Sequence, residues 1–317
     1  MDVERASDRC GAVLEEISDA VVVDERFLET VLTGILAEGH VLLEDVPGTG
    51  KTLTARSLAT AVGLEFNRVQ FTPDLLPSDV TGSHVYDEDT GEFGFREGPV
   101  FANVVLADEI NRAPPKTQAA LLEAMEEKQV SVEGETHPLP EPFFVIATQN
   151  PVEQEGTFEL PEAQRDRFIV KTEMGYPERD GELQLLRRRD GRAERTPTVD
   201  GVIDGATLQE MQAVADDVAV DEELMEYMVD VCRATRSHGA TAVGVSPRGL
   251  QRFYEAARAR AIIAGSEFVV PEHVAAVAES VLTHRIVLET DASVRGARKA
   301  DVVEEVLGNC EIPGVIE

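Results

Sequence analysis

The sequence predicts an α/β fold: an αβα core on a parallel sheet of about five strands, followed by a small all-α domain. Three observations predict it. In the first part of the chain short apolar segments alternate with amphipathic helical ones, the pattern of a sheet covered by helices on both faces. Beyond about Pro177 the apolar segments nearly disappear and residues spaced for one face of a helix take over. A glycine-rich turn joins one apolar segment directly to a helix, as in sheets that bind phosphates at their carboxyl edge.

Taken in order, the N-terminus MDVERASDRC is charged and lacks the apolar core of a signal peptide. The longest apolar runs, such as VVLA and FFVIA, are far short of a membrane span, so a cytoplasmic protein without membrane insertion is expected. Strand candidates are His40 to Leu43, Glu65 to Gln70, Val104 to Ala107 and Phe143 to Ala147. Helical spacing follows in Leu224, Met228 and Val231, then in Leu250, Phe253, Tyr254 and Ala257. These readings divide the chain into a core domain, residues 1–177, and a helical domain, residues 178–317. Arg187 to Gly205, rich in charge, Gly and Thr-Pro, suits an exposed connection.

The apolar fraction of 43% in 317 residues is enough to give each domain a core. Sixty acidic residues against 29 basic ones leave a net charge of -31, so the average surface repels a phosphate backbone and nucleic-acid binding is not expected. The carboxylates are spread along the whole chain, which fits adaptation to high salt, where screening weakens self-repulsion. The alternative is an ordinary acidic protein. Cys10, Cys232 and Cys310 are scattered without C-x-x-C spacing, and support neither a disulfide framework nor a zinc site.

HVLLEDVPGTGKTLTARSLATAVG runs from an apolar strand through the glycine-rich turn into a helix with Ala55, Leu58, Ala59 and Val62 on its buried face. Gly48 and Gly50 let backbone N–H groups close around phosphates, Lys51 supplies a point charge, and the Thr52 hydroxyl can ligand Mg2+. Val46, Pro47, Thr49 and Leu53 complete the predicted phosphate-binding set. Asp45 stands where the strict G-x-x-x-x-G-K-[ST] pattern has its first Gly, which puts a carboxylate on the shoulder of the loop.

NVVLADEINRAP reads as a buried strand ending in two carboxylates. Neighbouring strand residues point to opposite faces, so Asp108 and Glu109 are expected to do different work. Asp108 can hold Mg2+ or its waters, and Glu109 can polarise an attacking water. FFVIATQNP places Asn150 at the same carboxyl edge, where its amide can orient water beside the outermost phosphate.

LPEAQRDRFIV offers Arg165 and Arg167 as an arginine finger for the nucleotide of a neighbouring subunit, with an internal ion pair as the alternative for each. In GVSPRGLQRF, Ser246 reads as an N-cap and Pro247 as the first helical residue, which puts Arg248 in the first turn. A cation there opposes the helix dipole. Phosphates lying between the two domains, or an acidic side chain, are expected to compensate it.

The order of phosphate loop, Asp-Glu, Asn, Arg and Ser-Pro-Arg resembles the AAA+ superfamily. The stretches FTPDLLPSDVTG, FREGPVFANVVLADEINRAPPKTQAALLEAMEEKQVSVEG, ATQNPVEQEGTFELPEAQRDRF and SPRGLQRF resemble its MoxR family, within the helix-2-insert branch. The resemblance implies an αβα core with a helical lid, Mg2+ and ATP at their junction, and a ring, hexameric in many relatives, in which Arg167 acts on the next subunit. It makes Asn150 the sensor-1 residue and Arg248 the sensor-2 residue. Hairpins at His84 to Arg96 and Gln129 to Leu139 are expected to face a client in the pore. The chain departs from the family pattern at Val22-Val23-Asp24-Glu25, which loosens the adenine contact, and at Arg165, a position more often aliphatic.

The function implied is ATP-driven remodelling or maturation of a partner protein, in such relatives often one with a von Willebrand factor A domain. A magnesium-chelatase-like ATPase subunit is the alternative within the same architecture. A scaffold that binds ATP without hydrolysing it is a second alternative, and Glu109 and Asn150 argue against it because binding alone requires neither. A ring helicase shares this core, and the charge argues against that.

Overall fold

The computed structural model describes residues 1–88, 91–151, 156–191, 197–312 and 314. Two amphipathic helices open the chain, α1 (Val3–Ala20) and α2 (Glu25–Leu36), each started by an aspartate. Asp2 accepts from the Arg5 amide at 2.9 Å and Asp24 from the Arg26 amide at 2.8 Å, satisfying donors that a helix start leaves free.

The core then runs β1 (His40–Glu44), α3 (Lys51–Ala61), β2 (Phe66–Gln70), α4 (Pro77–Thr81), β3 (Gly82–Asp87), β4 (Glu92–Glu97), β5 (Val104–Asp108), α5 (Pro115–Glu127), β6 (Gln129–Val132), β7 (Glu135–Pro138), β8 (Phe144–Gln149), α6 (Glu162–Arg165) and β9 (Phe168–Thr172). After it come α7 (Arg179–Asp190), α8 (Gly205–Asp217), α9 (Glu222–Ser237), β10 (Thr241–Val243), α10 (Pro247–Ile263), α11 (Pro271–Leu282), β11 (Val287–Leu288), α12 (Thr290–Val294) and α13 (Lys299–Asn309).

Five strands form one sheet in the order β2-β5-β8-β1-β9, and every neighbouring pair is parallel. The sequence places four of them; the fifth, β9, carries only Phe168, Ile169 and Val170 before Lys171, too short an apolar run to stand out. Strand periodicity sorts the core into two layers. Val41, Leu43, Val104, Leu106, Phe144 and Ile146 face α1, α2, α3 and the C-terminal helices, whereas Leu42, Val105, Ala107, Val145 and Ala147 face α5 through Leu121, Leu122 and Met125. Both faces are covered, so β5 is buried along its whole length.

The hydrophobic cluster on the first face is continuous through α1, α2, α8, α9, α10 and α11. The N-terminal helices therefore pack on the C-terminal helices as well as on the sheet, and Gln212 Nε2 on α8 donates to the Ile35 carbonyl of α2 at 2.8 Å. The stretch expected as an exposed connection from Arg187 is still helical as far as Asp190. Beside the main sheet, β3 and β4 form one antiparallel hairpin and β6 and β7 another, where the sequence places two. Among the described residues no helix is long and apolar enough to cross a membrane.

Candidate functional site

The chain leaves β1 for β2 on one side of the sheet and later returns to β9 on the other, so the crevice at the carboxyl ends of β1, β5 and β8 is the topological switch point. The turn from β1 into α3 lies there. Gly48 has φ +90° and open space where a Cβ would stand, and Gly50, with φ +104°, is the residue before α3. Both conformations favour glycine, and they leave the amides at the start of α3 accessible to a ligand. Lys51 Nζ donates to the Val46 carbonyl at 2.7 Å and the Asp45 carbonyl at 3.0 Å, which holds the ammonium over its own loop.

Asp45, where the strict pattern has glycine, is a buried cap. One of its oxygens accepts from the Val46 amide at 2.8 Å and the other from the Met174 and Gly175 amides at 3.0 Å each. The carboxylate thereby ties the loop to the segment leaving β9.

Asp108 and Glu109 both face the space beside this loop. The strand stops at Asp108, and Glu109 takes a left-handed conformation with φ 58° and ψ 50°, so the rule of opposite faces no longer applies to it. Asp108 Oδ1 accepts from Thr148 Oγ1 at 2.7 Å, and the Thr148 hydroxyl in turn accepts from the Glu109 amide at 2.8 Å. Asp108 Oδ2 accepts from Arg68 Nη2 at 2.6 Å and Nε at 3.0 Å. Glu109 Oε2 accepts from Gln70 Nε2 at 2.8 Å and Arg112 Nη1 at 3.1 Å. Thr148 serves both residues, whereas Arg68 bonds the Asp108 carboxylate and Arg112 the Glu109 carboxylate.

A cavity of about 450 Å3 lies between these groups, in the size range of small-molecule sites. Pro47, Gly48, Gly50, Lys51, Thr52, Leu53, Asp108, Glu109 and Asn150 all line it, while Val46 and Thr49 sit in the turn behind. Arg68, Gln70 and Thr148 line it as well. Thr52 and Asp108 present oxygen donors to the same space, a donor set that suits a hard cation such as Mg2+. A second cavity, about 360 Å3, lies between α9 and α11; its charged residues are Asp221 and Glu223, the wrong sign for a phosphate.

The arginines stand elsewhere. Arg167 Nη2 pairs with Glu126 at 2.9 Å and its Nη1 donates to the Leu122 carbonyl at 2.5 Å. Arg248, in the first turn of α10 behind the Ser246 cap, pairs with the same Glu126 at 2.9 Å. A carboxylate from α5, Glu126, thus offsets Arg248 at its helix start, and neither arginine lines the cavity. Arg165 Nε is buried without a hydrogen-bond partner among the described residues. Between the two finger candidates, Asp166 pairs with Arg285 at 2.7 Å. Burial lowers Arg285 to about 10, and its guanidinium also donates to the Phe168 and Ile169 carbonyls, locking the helical part to β9.

The family of this geometry is shown by comparison with known proteins. A family model described as ATPase family associated with various cellular activities (AAA) matches residues 40–170, and an AAA lid domain model matches residues 233–306. YeaC of Bacillus subtilis is 45% identical over 303 residues, covering 96% of this chain and 94% of that one. Chaperone MoxR1 of Mycobacterium tuberculosis is 41% identical, covering 95% and 81%. The chain belongs to the MoxR family of AAA+ ATPases. A crystal structure of a candidate ATPase from Cytophaga hutchinsonii superimposes on this MoxR-family fold with a TM-score of 0.92 at 38% identity, covering 98% of this chain and 97% of that one.

Four cavity residues of this MoxR-family protein escape a reading by motif: Arg68, Gln70, Thr148 and Gln149. A signal was present for the first two. In FNRVQ, Arg68 and Gln70 stand two residues apart and so share one strand face, and the register sets Gln70 opposite Asp108. Thr148 is hidden within an apolar strand, where a lone hydroxyl gives no hint of its partners.

Proposed function

We propose that this MoxR-family protein hydrolyses Mg2+-bound ATP in the cavity beneath the phosphate loop and uses the cycle to remodel or mature a client protein. The observation that carries this reading is the convergence of Lys51, Thr52, Asp108, Glu109 and Asn150 on one cavity at the switch point of the sheet. The loop amides and Lys51 bind and orient the phosphates. Thr52 and Asp108 would hold Mg2+, which supplies neutralisation of phosphate charge. Glu109, steadied by Gln70 and Arg112, takes the proton of the attacking water, and Asn150 orients that water.

Arg167 is held by Glu126 away from its own cavity, which favours its serving the nucleotide of a neighbouring copy, and Arg248, on the same Glu126, is the sensor-2 residue of the lid. A ring, hexameric as in many relatives, and cytoplasmic action on a client with a von Willebrand factor A domain complete the proposal. Its client-facing parts are the two hairpins. Phe95 stacks on His137 with ring centroids 3.8 Å apart, fastening one to the other, and Tyr86 and Phe93 form an exposed aromatic pair on β3 and β4.

Phosphate release by purified protein tests the enzymatic core of the reading. Steady turnover in Mg2+ that is lost in Glu109→Gln supports it, and turnover unaffected by that change removes Glu109 from its role.

A further inference from the structure

Both oxygens of Asp108 are engaged: Oδ1 by Thr148 and Oδ2 by two nitrogens of Arg68. Arg68 reaches across from β2, the edge strand beside β5, and its side chain is 43% exposed against 10% for Asp108. The carboxylate that would hold the metal is thus already neutralised by a cation of the chain itself. A metal cation and a guanidinium at the same Oδ2 repel each other in a partly desolvated site, so the two compete for that oxygen.

Arg68 is able to leave without leaving the cavity. Its side chain is half in solvent and lines the same space as the phosphate loop, where Lys51 is the other cationic lining residue. A guanidinium freed from Asp108 has phosphate oxygens as its natural next partner, since its planar donors match them. Arg68 Nη2 also donates to Gln70 Oε1 at 2.6 Å, and the amide nitrogen of Gln70 holds Glu109. Movement of Arg68 is therefore felt at the carboxylate assigned to water.

We propose that Arg68 is a positioning and phosphate-binding residue with two stations: it clamps Asp108 when the site holds no metal nucleotide, and it turns to the phosphate tail when the metal takes the carboxylate. The proposal rests on the ATP reading above.

Binding of a fluorescent ATP analogue, titrated with MgCl2 from EDTA to saturation, tests it without reference to turnover. In Arg68→Gln the Mg2+ concentration for half-maximal binding falls several-fold, because no internal cation competes, while affinity at saturating Mg2+ drops about tenfold with loss of the phosphate contact. Arg68→Lys keeps the charge without the two-pronged clamp. It lowers the Mg2+ requirement and retains most of the saturating affinity, and it carries the test if Arg68→Gln does not fold. An Mg2+ requirement unchanged in Arg68→Lys, or Arg68→Gln curves superimposed on the unaltered protein at every Mg2+ concentration, overturns the role of Arg68 alone. Absence of binding in the unaltered protein overturns the ATP reading itself.

Discussion

Thr148 Oγ1 donates to Asp108 Oδ1 at 2.7 Å while accepting from the Glu109 amide at 2.8 Å, so one buried hydroxyl on β8 sets the position of both carboxylates at the end of β5. Thr148→Val keeps the shape and removes the bridge. It leaves a buried carboxylate oxygen and an amide without their partner, at a cost of about 1–3 kcal/mol. Urea unfolding should show that loss, with turnover down about tenfold from misplacement of the carboxylates, and Thr148→Ser should restore both.

Arg167 and Arg248 share Glu126, one from the start of β9 and one from the first turn of α10. Arg167→Ala should lose hydrolysis with ATP affinity kept, since the residue lies outside its own cavity. Mixing it with Lys51→Ala should restore part of the turnover, because a mixed ring contains interfaces with an intact Lys51 facing an intact Arg167. Absence of rescue argues for action within one chain.

The sheet, the phosphate loop and the gathering of Lys51, Thr52, Asp108, Glu109 and Asn150 were legible because each depends on a local pattern: an apolar run, a glycine turn, a polar residue at a strand end. What was not legible depends on pairing between distant segments. Asp45 capping Met174 and Gly175, Arg68 clamping Asp108 and Glu126 collecting two arginines all need the register of the sheet or the docking of the helices. The left-handed backbone of Glu109, which strand periodicity cannot foresee, is what ends β5 at Asp108.

His40 is buried, accepting from the Val145 amide through Nδ1 at 3.0 Å and donating from Nε2 to the Met125 carbonyl at 3.1 Å. Burial lowers it to about 4 from an ordinary 6.5, so below pH 6.5 the unfolded chain takes up a proton that the folded one refuses. The stability contributed by neutral His40 is complete above pH 6.5 and is lost as the pH falls toward 4, by about 3 kcal/mol. Denaturant unfolding of the protein and of His40→Gln at several pH values should show the gap between them closing over that range.

With a net charge of -31 spread over the chain, mutual repulsion of carboxylates is expected to limit stability at low ionic strength. Thermal melting should move to higher temperature from low to molar KCl. Equal melting in both removes the reading of adaptation to salt.

On this mechanism Lys51 grips the phosphates while Glu109 acts only on the water. The chemical state of nucleotide bound after mixing protein with radiolabelled ATP and Mg2+ tests it most directly, in the unaltered chain, Lys51→Ala and Glu109→Gln. Lys51→Ala should hold no nucleotide and Glu109→Gln should retain intact ATP, where the unaltered chain carries ADP. ATP held normally by Lys51→Ala, or converted to ADP by Glu109→Gln, contradicts it.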